Sequence, residues 1–256
     1  MTRGLRTKTR QGLRRALDEV RGRRVEHARG LKRVQRELDA VRSDLAATRE
    51  QLAQAIERLE RRHRSDLIFA ADVRATAETE LYIAEHGLVQ VPWMTHPHAT
   101  LRHALGLVTV DGLVLEFGVA TGTTLGVIAG GLPGRTPYGF DVFSGLPEDW
   151  RPGFPAGTFA QDKLPEVPGA QLVVGLFENT LPGFLGDHPG PVAFLHVDVD
   201  LYTSAKTVLD LLAGRLVPGT VIVFDEYWNY SGWKTDGEFR AWNEFVRWPV
   251  FRQRPR

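Results

Sequence analysis

The segment Leu113–Gly131, which reads LVLEFGVATGTTLGVIAGG, decides the fold of this chain. It begins with the apolar run Leu113–Phe117, which has the length of a buried strand and is bounded by glycine on both sides. A glycine-containing turn follows, and Gly122 opens an apolar helix. A strand, a glycine turn and a helix in this order predict the first half of a βαβ unit, whose strand is buried on both faces.

The same pattern recurs towards the C-terminus. Four further apolar segments predict strands, namely Tyr138–Asp141, Gln171–Gly175, Val192–Asp198 and Thr220–Asp225. Helical stretches such as Ser204–Leu212 lie between the later strands. Strands that alternate with helices predict an α/β fold with a doubly wound, mostly parallel sheet. A ligand is then expected beyond the carboxyl ends of the strands, where the strand order reverses.

The turn after the first predicted strand has the features of a ligand site. Gly118 and Gly122 allow close approach of the backbone to a ligand, and the following helix offers unpaired N–H groups. Asp141 ends the next strand, where an acid can accept hydrogen bonds from a ribose diol. The dinucleotide fingerprint G-x-G-x-x-G is incomplete, because Thr121 and other larger residues stand among its positions. These side chains would crowd a pyrophosphate. Glu116 instead suits a ligand that presents an ammonium group.

The first 64 residues form a basic arm, although the net charge of the whole chain is only +1. Their apolar residues recur in alternating steps of three and four, which is the heptad spacing of a coiled coil. The most regular part consists of Leu31, Val34, Leu38, Val41, Leu45, Thr48, Leu52, Ala55 and Leu59. We expect this helix to form a coiled coil that joins copies of the chain into a homo-oligomer or docks the chain on a partner.

Two alternatives to the coiled coil stay open. The helix can fold back on its own domain, or the Arg-rich segment Met1–Arg15 can contact an anionic membrane surface. Binding of nucleic acid by this segment is less favoured, because no aromatic residue is interleaved for stacking on bases.

The composition predicts three regions: an arm at 1–64, a helical linker or lid at 65–110, and a ligand-binding domain at 111–256. The linker is expected to contain a helix from about Asp66 to His86. Three histidines follow it, and we interpret them as surface or lid residues rather than metal ligands: His96, His98 and His103. The chain has no cysteine, which excludes disulfides and thiolate chemistry. No apolar run predicts a signal peptide or a membrane span, so we expect a cytoplasmic protein.

Four segments together resemble a known family. They are EFGVATG at 116–122, GFDVFSGLP at 139–147, HVDVDLYTS at 196–204 and FDEY at 224–227. In this order and at this spacing they resemble the macrocin O-methyltransferase family, over roughly residues 75 to 247. The resemblance implies a Rossmann-like class I methyltransferase that uses S-adenosylmethionine. It also implies an acceptor hydroxyl on a small molecule or a glycosyl group.

The resemblance further implies which residues bind the cofactor. The set is Glu116, Gly118, Thr121, Gly122, Asp141, Phe143 and Ser144. The residues of the first turn would line the methionine part, Asp141 would hold the ribose, and the two residues after it would lie near the adenine. Aromatic residues that would face the acceptor are Trp93, Trp150, Tyr227, Trp228, Tyr230 and Trp233, of which about half are expected to serve packing alone.

The family resembled also depends on magnesium, which implies Asp198, Asp225 and Glu226 as ligands. Carboxylates at the ends of neighbouring strands repel one another, and a hard divalent cation relieves that repulsion. Such an ion would lower the pKa of an acceptor hydroxyl. In the alternative interpretation no metal binds, the acids after the fifth strand only solvate a loop, and Asp200 caps the following helix. In either case we expect Asp200 to have this structural role, since it lies within reach of the backbone amides of Thr203 and Ser204.

The catalytic residues are the least determined part of the site. Asp198 and His196 are the candidates, and the general base is not assigned by the sequence. After the predicted helix at about Glu238–Val246 only Trp248–Arg256 remain, which leaves room for one strand where class I sheets end with a hairpin. A shortened C-terminal hairpin is therefore expected. Two other functions stay open: a metal-independent N- or O-methyltransferase, and a non-catalytic coiled-coil scaffold.

Overall fold

The computed structural model describes the backbone of residues 3–247, together with the side chains of residues 21, 23, 24, 26, 27, 29–61 and 66–247. The chain divides into two compact units, Met1–Asp66 and Leu67–Arg256. The boundary between the units follows Asp66, and residues 67–110 of the predicted linker region lie in the second unit.

The first unit is a single helix, α1, which runs from Arg3 to Ser65. At 1.5 Å per residue a helix of this length spans about 95 Å. The heptad positions between residues 31 and 52 that carry large apolar side chains are 43% to 62% exposed. The predicted helical arm is thus present, and the side chains of its heptad are not buried within the unit. No helix among the described residues combines the length and apolar character that a membrane span requires.

The second unit alternates helices and strands. Its elements are α2 Leu67–Glu85, α3 Pro97–Leu105, β1 Leu113–Phe117, α4 Thr123–Gly131, β2 Pro137–Asp141, β3 Gln171–Val174, α5 Phe177–Asp187, β4 Val192–Val197, α6 Tyr202–Leu212, β5 Leu216–Phe224 and α7 Gly237–Arg247. All five predicted strands are confirmed, as are the predicted helices.

The five strands form one sheet in the order β3-β2-β1-β4-β5, and all paired strands are parallel. The chain order therefore reverses between β1 and β4. The register of that pair sets Glu116 opposite His196. This confirms the doubly wound, Rossmann-like α/β fold, and it places the expected ligand site at the carboxyl ends of β1 and β4.

The fifth strand begins four residues earlier than the sequence predicts. Pro218 and Gly219 are typical of a turn, so Thr220 was the expected start. In the structure these residues lie in an irregularity of the ladder, where the pairing with β4 shifts between Val192 and Phe194. A bulge accommodates such residues without ending the strand.

The core lies on both faces of the sheet. Side chains of β1 and β4 alternate between two clusters, one beneath α5, α6 and α7 and the other beneath α3 and α4. Leu115 and Leu195 belong to the first cluster, and Val114 and Phe194 to the second. Burial on both faces explains why these strands are continuous apolar runs rather than alternating ones.

The chain after α7 is where the shortened hairpin was predicted. Residues 248–256 lie outside the described part of the chain. The hairpin therefore stays a prediction.

Candidate functional site

A cavity of about 810 Å³ lies over the carboxyl ends of the strands. Each of the five strand ends contributes a residue to its lining: Gly118, Asp141, Gly175, Asp198 and Asp225. Further lining comes from the loop between β2 and β3, which includes Trp150, Arg151, Phe154 and Phe159. The cavity is thus at the edge of the sheet where parallel α/β folds bind their ligands.

Asp141 connects the two loops that border this cavity. Its Oδ2 accepts hydrogen bonds from the backbone N–H groups of Val119 and Ala120, both at 2.8 Å, and its Oδ1 accepts one from Phe143 at 2.7 Å. Ala120 and Phe143 both have positive φ, at 42° and 57°. L-residues rarely adopt this conformation, and three charge-assisted hydrogen bonds stabilise it here. The sequence predicted a ligand-binding carboxylate but not this loop-holding role.

Gly118 allows the close approach of β1 to β4. Its φ is +86°, and a Cβ atom at this position would overlap the carbonyl oxygen of Asp198. Gly122 also has positive φ and begins α4, where a Cβ would lie 2.6 Å from the side chain of Val167. Both glycines of the first turn are therefore required by the backbone, whatever ligand binds there.

A buried ion pair lies directly under the switch point. His196 Nδ1 is 2.8 Å from Glu116 Oε1, and the two side chains are 2% and 0% exposed. The second oxygen of the carboxylate, Oε2, has no hydrogen-bond partner among the described residues. Glu116 is absent from the cavity lining, so its carboxylate lies beneath the cavity, and the side chain of Thr124 interacts with it and partly opposes the effect of burial on its pKa.

Burial raises the pKa of Glu116. Burial alone would lower the pKa of His196, but its hydrogen bond to Glu116 and the charges of Glu116, Asp198 and Asp225 outweigh burial and raise that pKa. The three carboxylates around the imidazole thus favour its protonated form. His196 is also absent from the cavity lining, so it lies beneath the cavity rather than in it.

Acidic residues converge at the ends of β4 and β5. Ligand atoms of His196, Asp198 and Asp225 all lie within 4.8 Å of one another. Two of the three predicted metal ligands are thus brought together. Glu226 lines the same cavity, but its Oε1 lies 3.9 Å from an Arg151 guanidinium nitrogen, and it is not part of that group.

The two aspartates after β4 both have raised pKa values. Burial and the charge of Asp225 raise the pKa of Asp198 to about 8. Burial and the charge of Glu226 raise the pKa of Asp200 to about 7. The prediction that Asp200 caps α6 is wrong, because the N-cap residue is Leu201 and no side chain makes a capping hydrogen bond. Asp200 has a φ of 60° and lines the cavity instead.

A third buried carboxylate supports the acidic edge from behind. Glu238, at the start of α7, is 0% exposed, and its two oxygens accept hydrogen bonds from the backbone N–H groups of Val199 and Glu226, each at 3.2 Å. Burial raises the pKa of this carboxyl well above its ordinary value. Sequence reasoning missed it, because an acid in the first turn of a helix is common for reasons of the helix dipole alone.

Arg151 and the rings of Trp150 and Phe154 form one wall of the cavity, and Arg151 also contacts Tyr230, which is not in the lining. The guanidinium carbon lies 4.1 Å from the ring centroid of Trp150, 4.7 Å from that of Phe154 and 5.4 Å from that of Tyr230. Trp150 is the one predicted acceptor-facing aromatic in the lining. Trp228, Tyr230 and Trp233 pack together with Tyr82 in a cluster that Trp150 also contacts through Tyr230, and the side chain of Trp93 is exposed.

The remaining predicted cofactor residues lie around the first turn. The hydroxyl of Thr121 is 2.8 Å from that of Thr123. Phe143 is buried against Val119 and Leu125, and Ser144 is exposed. Of the whole predicted set, Gly118 and Asp141 line the cavity.

Residues 115–227 match a family model described as a methyltransferase domain. This range begins within β1, continues through β5 and includes the acidic residues at the strand ends. No curated protein sequence matches the chain significantly.

Several solved structures are similar to the chain. CalS11, a calicheamicin methyltransferase, is 24% identical, with 72% of this chain and 84% of that chain covered at a TM-score of 0.47. Apo CalS11, described as a TDP-rhamnose 3'-O-methyltransferase, is 22% identical, with 76% and 85% covered at 0.44. An O-methyltransferase from Bacillus cereus in complex with SAH is 15% identical, with 70% and 87% covered at 0.38.

Proposed function

We propose that this enzyme is an O-methyltransferase, in agreement with the methyltransferase domain that it matches. It would transfer the methyl group of S-adenosylmethionine to a hydroxyl group of a small molecule or a glycosyl acceptor, assisted by a magnesium ion. One observation carries the proposal. A single cavity is bordered both by the glycine turn with Asp141 and by the carboxylates of Asp198 and Asp225.

The first turn fits S-adenosylmethionine by its chemistry. The carboxylate of Glu116 is buried beneath the cavity, outside its lining, and its Oε2 makes no hydrogen bond among the described residues. An α-ammonium group bound at the turn above would supply a compensating charge to this acid. The carboxylate of Asp141 accepts three hydrogen bonds from the loops. About one further acceptor site remains on it. One ribose hydroxyl can use that site. No pyrophosphate is required, which agrees with the crowded turn at Thr121.

The acidic edge fits a magnesium ion. Asp198 and Asp225 would hold it, because hard divalent cations prefer carboxylate oxygens and their charge relieves the repulsion between the two groups. His196 is engaged by Glu116, so we assign it the role of positioning these acids rather than that of the third ligand. When bound, such an ion lowers the pKa of an acceptor hydroxyl.

The residues of the cavity position the acceptor for in-line displacement. The rings of Trp150 and Phe154 offer flat apolar faces against which a sugar or an aromatic ring can pack. The acceptor oxygen forms a bond to the methyl carbon as the bond between sulfur and that carbon breaks, S-adenosylhomocysteine leaves, and the acceptor oxygen loses its proton. Because His196 is buried beneath the cavity, that proton passes to a carboxylate in the lining, and Asp198 is our candidate.

The test is calorimetric titration of S-adenosylmethionine into the full chain, followed by a methyl-transfer assay on sugars, nucleotide sugars, phenols and amines, with and without a chelator. Micromolar binding and transfer that stops on chelation would support the proposal. Transfer that survives chelation would contradict the metal, and transfer to amines alone would contradict the hydroxyl acceptor. Absence of cofactor binding would overturn the proposal in favour of a non-catalytic scaffold.

A further inference from the structure

Both the apolar and the charged positions of the exposed heptad in α1 indicate how this helix pairs. If Leu31 is placed at position a, then Leu38, Leu45 and Leu52 also occupy a, and Val34, Val41, Thr48 and Ala55 occupy d. The four leucines are 60%, 43%, 49% and 60% exposed. A row of leucines on one face of a helix is not stable in water, and a facing helix with the same spacing would bury it.

The positions that flank this seam are charged in an ordered way. The g positions of the first two heptads are Glu37 and Asp44, and the e positions that follow each of them by five residues are Arg42 and Arg49. All four side chains are exposed. In a parallel, in-register coiled coil a g residue of one helix faces the e residue five positions later on the other. Both cross-helix pairs are then oppositely charged.

An antiparallel arrangement gives the opposite result. There g positions face g positions and e positions face e positions, so acids would lie beside acids and arginines beside arginines. Like charges at these positions select against a pairing. The charge pattern therefore distinguishes the two orientations, which the apolar seam alone does not.

Salt bridges within the helix leave these charged side chains available for contacts with a second helix. Glu37 lies 3.5 Å from Arg33, and Arg42 lies 3.9 Å from Asp39. The side chains of Glu37 and Arg42 are 66% and 68% exposed in these pairs. Exposed pairs of this kind contribute little and exchange readily.

From these observations we infer that α1 forms a parallel, in-register, two-stranded coiled coil with a second copy of the same chain. Leucines at a would form its core, and the pairs Glu37–Arg42 and Asp44–Arg49 would lie across the interface, each twice by symmetry. Leucine at a with β-branched valine at d by itself favours larger bundles. The charged side chains at g and e of the first two heptads oppose this, because they are solvated in a dimer and more deeply covered in larger bundles, and we take this charge term to decide for two strands. This inference does not depend on the proposed catalytic function.

The test uses two charge-reversed versions of the full chain. One carries Arg42→Glu and Arg49→Glu, and the other carries Glu37→Arg and Asp44→Arg. Mass is measured by sedimentation equilibrium for each alone and for an equimolar mixture. We expect the unaltered chain to have the mass of two chains. Each variant alone should dissociate at concentrations about tenfold or more above those of the unaltered chain, and the mixture should recover the two-chain mass.

A matched control carries Lys32→Glu and Arg36→Glu, which change the net charge as much as the arginine reversal does but lie at positions b and f, outside the seam. It should associate as the unaltered chain does, and circular dichroism should show unchanged helix content in all variants. A single-chain mass for the unaltered protein would overturn the inference. So would a mass of three or four chains, or reversal variants that associate as tightly as the control.

Discussion

His196 Nδ1 and Glu116 Oε1 lie 2.8 Å apart although the two residues are 80 positions apart in the chain. Glu116 lies in β1 and His196 in β4, and both side chains are buried. These two strands pair at the point where the strand order reverses. The ion pair thus connects the strand that precedes the glycine turn with the strand that precedes the acidic residues. We expect its loss to lower the stability of the fold, whatever its effect on catalysis.

We expect His196→Ala to lower the free energy of unfolding by about 3–5 kcal/mol, because it leaves the buried carboxylate of Glu116 without its partner. Glu116→Gln in the same background should recover part of that loss. Urea unfolding of the two single variants and the double variant measures the coupling between the residues. His103→Ala, an exposed position in the same unit, is the control and should change stability by less than about 0.5 kcal/mol. Additive effects of the two substitutions would contradict a direct pair.

The metal ligands can be separated by conservative substitution. Asp198→Asn and Asp225→Asn should each reduce methyl transfer by about 100-fold or more, because each removes a charged oxygen from the cluster. Glu226→Gln should cost less than about tenfold, since its carboxylate is directed to Arg151. Calorimetric titration of Mg²⁺ into each variant, alongside the transfer assay, gives the comparison. An equal loss in all three variants would mean that Glu226 is a direct ligand.

A pair of glycine substitutions separates steric overlap from backbone strain. Gly118 and Gly134 have nearly the same φ, +86° and +82°, but a Cβ at Gly134 meets no atom within 4 Å, whereas one at Gly118 overlaps the Asp198 carbonyl. Gly134→Ala should cost about 1–2 kcal/mol, the strain of a left-handed alanine. Gly118→Ala should cost clearly more and should weaken cofactor binding as well. Thermal unfolding and calorimetry test both statements, and equal costs at the two sites would argue against close packing of β1 on β4.

Glu238 predicts a pH dependence of stability. Its pKa is raised well above the usual value in the folded chain, so the folded state keeps a proton that the unfolded state releases as the pH rises past about 4.5. The contribution of this residue to the free energy of unfolding therefore falls as the pH rises. Glu238→Gln removes that dependence, although it loses one backbone hydrogen bond worth about 1 kcal/mol. We expect the free energy of unfolding of the variant, measured with urea, to rise relative to that of the unaltered chain between about pH 5 and about pH 8. A constant difference across this range would contradict the assignment.

Local patterns were enough to predict the elements of the fold. Apolar runs bounded by glycine predict the strands, because burial on both faces and the need for sharp turns act on neighbouring residues. The start of β5 was placed wrongly for the same reason: Pro218 and Gly219 have the local character of a turn, and only the partner strand accommodates them as a bulge.

The site was predicted in its composition and only partly in its arrangement. Asp198 and Asp225 were expected to meet because both end neighbouring parallel strands, and they do. Asp200 was wrongly expected to cap a helix, since its left-handed backbone cannot be read from residue types. Arg151 was not predicted at all, because its place against Trp150 and Glu226 depends on how a long loop folds over the sheet.

The sequence by itself therefore determined which segments are strands and helices, that the strands run parallel, and which end of the sheet holds the acids. These follow from hydrophobic periodicity and turn chemistry, which act over a few residues. The tertiary structure alone decided that His196 pairs with Glu116, that Asp141 holds two loops, and that Glu226 faces Arg151. Those contacts depend on strand register and loop packing, which join residues far apart in the chain and leave no local pattern in it.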